Sequence, residues 1–164
     1  MTFKEYTLHQ LREMKREILT ASEGLAEEDL TSFDPVGHWP IAWIVEHCTE
    51  VADGKLYRAI HGERLHAYAN HVLSWHKNEP QPDQPYPNLE EIHRRWKEVC
   101  DAVISDLESA TDEDIQENHH GSIPYINNIL LVINHTNSHL RSLWCILGER
   151  RVDTKWAVQQ DYLA

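Results

Sequence analysis

The sequence has few cysteines, and their positions fit neither a disulfide framework nor a cysteine-based zinc site. Cys48, Cys100 and Cys145 are odd in number and far apart, and no C-x-x-C motif occurs. A chain of 164 residues is long enough to form a hydrophobic core without stabilising disulfides or metal sites. We therefore expect three buried free thiols in a reducing cytoplasm.

The sequence also lacks the long apolar runs and the positive charge that membrane and nucleic-acid proteins need. No apolar run approaches the roughly 18 residues of a membrane span. The start of the chain, M-T-F-K-E-Y-T-L-H-Q, has no apolar signal-peptide core. Lysine and arginine number 15 against 27 acidic residues, which gives a net charge of −12. We predict a cytoplasmic protein that binds neither membranes nor nucleic acid.

Apolar residues recur at helical spacing instead, and no pair of segments alternates as β-strands do. The pattern predicts four helices, over residues 3–22, 40–62, 88–110 and 124–148. We expect a single domain, 1–164, that folds as an all-α four-helix bundle. The segments between the first and second helices, and between the second and third, are long enough for crossover connections.

Residues that favour helix ends support these boundaries. Pro40 and Pro124 stand where a first helical residue tolerates proline, and Gly148 stands where a helix favours a stop. Asn88 and Glu91 have the spacing of a capping box. Between the helices we expect an acidic link at 26–37, a segment at 63–77 that is either helical or irregular, a proline-rich loop at 78–88 and a polar link at 111–122. The pattern gives no structure for the tail, 149–164.

The last predicted helix carries two histidines four residues apart. A four-residue step turns about 400° on an α-helix, so His135 and His139 project from nearly the same line, which is largely apolar and should face the core. The same line carries Asn128, Leu131, Ser142 and Ile146. The spacing suits two ligands of one metal ion. The residues between them are Thr-Asn-Ser, so the glutamate of the H-E-x-x-H motif is missing, which argues against a zinc protease. On spacing alone, two hydrogen-bonded core histidines are the alternative.

A third histidine lies on the buried side of the second predicted helix. His47 is three residues after Ile44 and four before Val51, which are both apolar. With His135 and His139 it would form a site for a divalent metal that leaves at least one position for water or substrate. Taken alone, His47 also fits a satisfied core histidine. The remaining candidates lie in links or at five-residue steps that share no face: His38, His61, His66, His71, His76, His119 and His120.

Two motifs give the chain a family resemblance. W-P-I-A-W-I-V-E-H-C ends one residue after His47, and I-N-H-T-N-S-H-L-R-S-L-W-C-I-L-G contains His135 and His139. With the N-terminal helix, this pattern resembles the DinB/YfiT superfamily of bacterial metalloproteins. The resemblance implies a four-helix bundle, a divalent metal held by these three histidines, and a homodimer. The sequence departs from the family pattern after His139, where it has Leu140-Arg141 and the family often has Gly-Gln. A detailed mechanism therefore cannot be carried over from the family to this chain.

The resemblance also implies a reaction class, because some relatives are thiol-dependent S-transferases or isomerases. Three hypotheses follow. The first is an enzyme in which a metal ion activates a small thiol for attack on an electrophile, or activates water if the enzyme is a hydrolase. We expect zinc or nickel as the metal, with iron or manganese as alternatives. The second is a non-enzymic metal-binding or stress-associated bundle. The third is a plain helical dimerisation module with core histidines. Trp39, Trp43, Trp75 and Trp144 either line a cavity for the electrophile or belong to the core.

Overall fold

The computed structural model describes residues 1–33, 39–67, 85–117, 119–121 and 123–149, and all of the regular secondary structure in these ranges is helical. The elements in chain order are α1 (Phe3–Ser22), α2 (Glu27–Thr31), α3 (Ile41–Ala52), a π-helical turn (Asp53–Tyr57), α4 (Arg58–His61), α5 (Leu89–Ser109), α6 (Asp112–Gln116) and α7 (Tyr125–Glu149). The π-helical turn joins α3 to α4 without a break. The all-α prediction is confirmed.

The four long helices form the predicted bundle, with α1 and α3 at opposite corners. Helix α1 packs against α5 and α7, and α3 packs against the same two helices. The connection from α1 to α3 therefore crosses the bundle, as its length suggested. The largest fully buried side chains include Trp96, Tyr125, Ile18, Leu56, Leu107 and Leu143. Because α3 and α7 are neighbours, side chains in the middle of both can meet.

The helix N-termini follow the predicted capping chemistry only in part. Pro40 and Pro124 each lie one position before the helix that they were predicted to open. The side chain of Asn88 accepts a hydrogen bond from the backbone N–H of Glu91 at 2.9 Å, which is half of the predicted capping box. The Glu91 carboxylate does not complete the box, because it accepts hydrogen bonds from Arg94 and Arg95 instead. Charge-assisted bonds to guanidinium groups are stronger than a bond to a neutral amide.

Two short helices lie in segments that were predicted to be links. Helix α2 buries Leu30, and α6 buries Ile115 and begins with a capping box between Thr111 and Asp114. Helices of five residues are too short to show an apolar period in the sequence. The structure does not describe the end of the acidic link at 34–37, most of the segment 63–88 or the tail from residue 150.

The second predicted helix contains a π-helical turn that the sequence pattern did not predict. Asp53, whose exposed fraction is 0%, begins this turn. Its carboxylate accepts backbone hydrogen bonds from Leu65 at 2.8 Å and His66 at 3.1 Å, so the chain after α4 folds back along the helix. Gly62, with a φ of +81°, makes the left-handed end of α4. Single π-helical turns inside α-helices are frequent at functional sites.

The prediction of three buried thiols is wrong for one of them. Cys48 and Cys100 are buried, whereas Cys145 is exposed. Cys145 lies on the side of α7 that faces away from the bundle, next to Trp144, which is only partly buried. Burial raises the pKa of the Cys48 thiol to about 12, so this residue is inert at neutral pH.

Candidate metal centre

The middle of α3 and the middle of α7 bring the three predicted histidines together. His47 Nε2 lies 3.0 Å from His135 Nε2, and His139 Nε2 lies 3.2 Å from the same atom. The candidate ligand atoms of the three side chains all lie within 4.8 Å of one another. The four-residue step on α7 places two rings on one side of that helix, and the packing of α3 against α7 supplies the third.

Two of these separations fit a metal ion with tetrahedral geometry, and the third lies within 4.8 Å, so one ion would bring His47 and His139 closer together. Metal–imidazole bonds of about 2.0–2.1 Å at tetrahedral angles put neighbouring nitrogens about 3.3 Å apart. Both separations from His135 Nε2 are close to that value. Within the described part of the chain, no carboxylate or thiol joins this group. The three histidines can hold a metal ion, and such a site keeps at least one position for another ligand.

The electrostatic environment favours the neutral imidazole that a metal requires. Burial, together with the neighbouring His135, lowers the pKa of His139 to about 4. Burial also lowers the pKa of His135. Both rings are therefore neutral at pH 7, so a ring nitrogen of each keeps a lone pair for coordination.

The site is closed towards α3 and more open along α7. His47 is 2% exposed, whereas His135 and His139 are only half-buried. The expectation that the whole line on α7 faces the core is wrong, because Leu131 is 39% exposed and Ser142 is exposed. Helix α7 packs mainly against α1, α3 and the π-helical turn, so part of this line lies beyond the contact. A small molecule can therefore approach the histidines from this side.

An aromatic wall extends from the buried histidine towards the surface. The Trp43 ring stacks on the His47 ring with centroids 4.6 Å apart and planes at 17°. Trp39 contacts Trp43 edge to face at 4.1 Å and is 39% exposed. The Trp43 indole N–H is buried and donates to no described residue. Trp43 therefore belongs to the core beside the site, as the alternative proposed, Trp39 lies at its exposed end, and Trp75 lies outside the described residues.

The residues on either side of His47 belong to other surroundings. Glu46 Oε2 accepts a hydrogen bond from Arg95 of α5 at 3.1 Å, and burial raises the pKa of Glu46 to about 7. Cys48 is buried in the core. Adjacent helical residues point about 100° apart, so neither side chain joins the histidine group.

The other histidines within the described ranges do not join the group either. His61 pairs with Asp106 at 2.9 Å, and His119 bonds the backbone carbonyl of Asp114 at 2.8 Å. His120 is exposed. His38, His71 and His76 lie outside the described residues.

Together the fold and the site define a helical bundle with a three-histidine group suited to a divalent metal. The family model of the DinB superfamily matches residues 10–143, which include all three histidines and most of the 164-residue chain. The chain belongs to the DinB superfamily. Neither the curated proteins nor the solved structures gave a match. Within the described ranges, none of the helices combines the length and the apolar character of a membrane span.

Proposed function

We propose that the protein binds one divalent metal ion through the Nε2 atoms of His47, His135 and His139. The observation that carries this proposal is the convergence of the three nitrogens, with separations of 3.0 and 3.2 Å around His135. The lowered pKa values of His135 and His139 support it, since coordination requires neutral rings. We propose zinc or nickel as the metal, with iron or manganese as alternatives, because imidazole suits several of these ions.

We further propose that a small-molecule thiol takes the remaining position and is transferred to an electrophile. A bound divalent metal lowers the pKa of a thiol or of water, so the deprotonated nucleophile is present at neutral pH. In the transfer, the sulfur forms a bond to an electrophilic centre, the leaving group departs with the bonding electrons, and the thiol proton passes to solvent. The half-buried side of His135 and His139 gives access for both reactants.

The chain's own residues have positioning roles in this proposal. Trp43 stacks on His47 and limits rotation of its ring. Trp39, at the exposed end of the same aromatic pair, offers an apolar face to the electrophile. None of the described carboxylates joins the histidine group. In this proposal, the bound metal would lower the pKa of the thiol and so favour its deprotonation.

Elemental analysis tests the metal site. We would purify the protein without a histidine tag or added metal, beside the triple variant His47→Ala, His135→Ala, His139→Ala. The control is His9→Ala, which removes an exposed histidine of α1 that does not belong to the group. We expect about one equivalent of divalent metal in the wild type and the control, and none in the folded triple variant. A wild type that stays metal-free after reconstitution with zinc and nickel would refute the site.

Thiol-transfer assays then separate an enzyme from a protein in which the metal only stabilises the fold. The metal-loaded protein is offered a panel of small thiols with a chloronitroarene or an epoxide as the electrophile. We expect metal-dependent transfer that His139→Ala abolishes and His9→Ala preserves. Full metal occupancy without thiol binding or transfer would favour the alternative, a non-enzymic or stress-associated metal-binding bundle.

Three further expectations stay predictions: a homodimer, a single domain over residues 1–164, and a cytoplasmic location. The homodimer rests on the family resemblance. Leu130 and Leu131, which are exposed on α7, are residues that such an interface could cover. Sedimentation equilibrium of the wild type and of Leu130→Glu measures it: we expect a dimer that the charged variant weakens.

A further inference from the structure

A cavity of about 330 Å³ lies between the π-helical turn and the start of α7. Gly54, Lys55 and Arg58 line it on one side, and His120, Gly121 and Asn128 line it on the other. The backbone N–H of His120 donates to the carbonyl of Ala59 at 2.8 Å, which holds the segment before α7 against α4. The π-helical turn thus supplies one wall of a cavity that is separate from the three histidines.

The described lining of this cavity is basic in a strongly acidic chain. The net charge is −12, yet none of the described residues that line the cavity is acidic. Neither Lys55 nor Arg58 forms an ion pair with a described residue. Most other described basic side chains are paired, for example Arg12 with Glu108 and Lys15 with Asp101. Two cations that pair with no described residue, beside one cavity, favour an anionic ligand.

The inner part of the cavity adds a neutral hydrogen-bond donor. Asn128 is 4% exposed and lines the cavity from the first turns of α7. A Cβ atom at position 121 would lie 3.6 Å from Asn128 Nδ2, so Gly121 leaves the approach to this amide open. An amide group, an ammonium group and a guanidinium group form a donor set that suits carboxylate or phosphate oxygens.

We propose that this cavity binds the carboxylate or phosphate group of an anionic small molecule. Arg58 offers the paired N–H groups that match two oxygens, Lys55 adds a point charge, and Asn128 fixes the orientation from within. The cavity and the histidines lie along the same contact between the second predicted helix and α7. Gly54 is seven residues after His47, and Asn128 is seven residues before His135. Seven residues correspond to about 10 Å of helix. The proposal does not depend on metal binding or on thiol transfer.

Titration with inorganic phosphate and with citrate tests the site. Binding is followed by NMR through the backbone amide signals of Gly54 and Gly121. The variants are Arg58→Met and Lys55→Met, both at exposed positions, so either can serve if the other fails to fold. The matched control is Lys97→Met, which removes an exposed lysine of α5 that pairs with no described residue and does not line the cavity. His135→Ala tests whether the anion binds at the histidines instead.

We expect saturable shifts of both glycine signals with at least one anion. Arg58→Met should weaken binding about tenfold or more, as loss of a charge-assisted hydrogen bond does, while Lys97→Met and His135→Ala leave it within about twofold. Binding of phosphate alone, of citrate alone or of both identifies the anion that the cavity prefers. The proposal is overturned if neither anion saturates the shifts, if Lys97→Met weakens binding as much as Arg58→Met, or if His135→Ala abolishes it.

Discussion

Metal binding at the histidine group should raise the thermal stability of the protein, and the increase should require His47. The proposed ligands come from α3 and α7, and His135 is 88 positions after His47, so the complete group exists only in the folded chain. At free metal of about 100 times the dissociation constant, binding to the folded state alone adds about 2.7 kcal/mol. For a chain of 164 residues, each kcal/mol raises Tm by about 2–4 °C. The expected increase is therefore about 5–11 °C.

The variant His47→Ala removes the only ligand that α3 supplies and leaves a pair on one helix. If the affinity falls about a hundredfold, the same metal concentration adds only about 0.4 kcal/mol, or about 1–2 °C. Because His47 is 2% exposed, its loss also leaves a cavity and lowers the stability of the metal-free protein. The quantity to compare is therefore the metal-induced shift within each variant and not the Tm itself.

Differential scanning calorimetry of chelated and zinc-loaded protein measures these shifts, with the same series in nickel. His9→Ala should show the full wild-type shift, since the exposed ring takes no part in the group. An equal shift in His47→Ala and the wild type would refute the three-histidine reasoning, because metal would then be binding without α3. No shift in the wild type at saturating metal would refute it as well.

The remaining predictions concern polar groups elsewhere in the bundle. Asp53→Ala should lower the free energy of unfolding in urea by about 3 kcal/mol, since it removes the acceptor of two backbone N–H groups; a loss below about 1 kcal/mol would contradict this role. Arg95→Met should cost about 2–4 kcal/mol in the same assay because it leaves Glu46 buried without its partner, and the double variant with Glu46→Met should recover most of the loss. Burial, and secondarily Lys97, lowers the pKa of His93 in the folded state, so the unfolded chain takes up its proton first. The free energy of unfolding should fall as the pH drops below about 6.5, and His93→Gln should reduce this fall in metal-free protein; an identical pH profile in the variant would exclude the effect.

The parts of the fold that follow from periodicity were predictable from the sequence. The range 3–22 and the structure's α1 coincide, and α5 begins after Asn88 as predicted. The three histidines were predictable because His135 and His139 share a helix face and His47 shares its side with Ile44. Their meeting depends on α3 packing against α7, and this pairing came from the family resemblance and not from spacing.

Features set by tertiary packing were not predictable in this way. The π-helical turn depends on Asp53 reaching the backbone of Leu65 and His66, more than ten residues further along the chain. The exposure of Leu131 and Cys145 depends on where α7 leaves its contact with α1 and α3. The basic cavity joins Lys55 and Arg58 to Asn128, residues that have no shared pattern in the sequence. Such features follow from which helices are neighbours, and local periodicity carries no information about that.

The order of the ligands along the chain has a consequence for biosynthesis. His47 leaves the ribosome long before His135 and His139, and the two later residues become neighbours as soon as α7 forms one turn. A metal ion that meets the nascent chain early finds at most a local pair. The complete set of three appears only when α7, the last long helix of the described residues, docks on α3. Tight capture of the metal would therefore mark the end of folding, so a truncated or misfolded chain would release it.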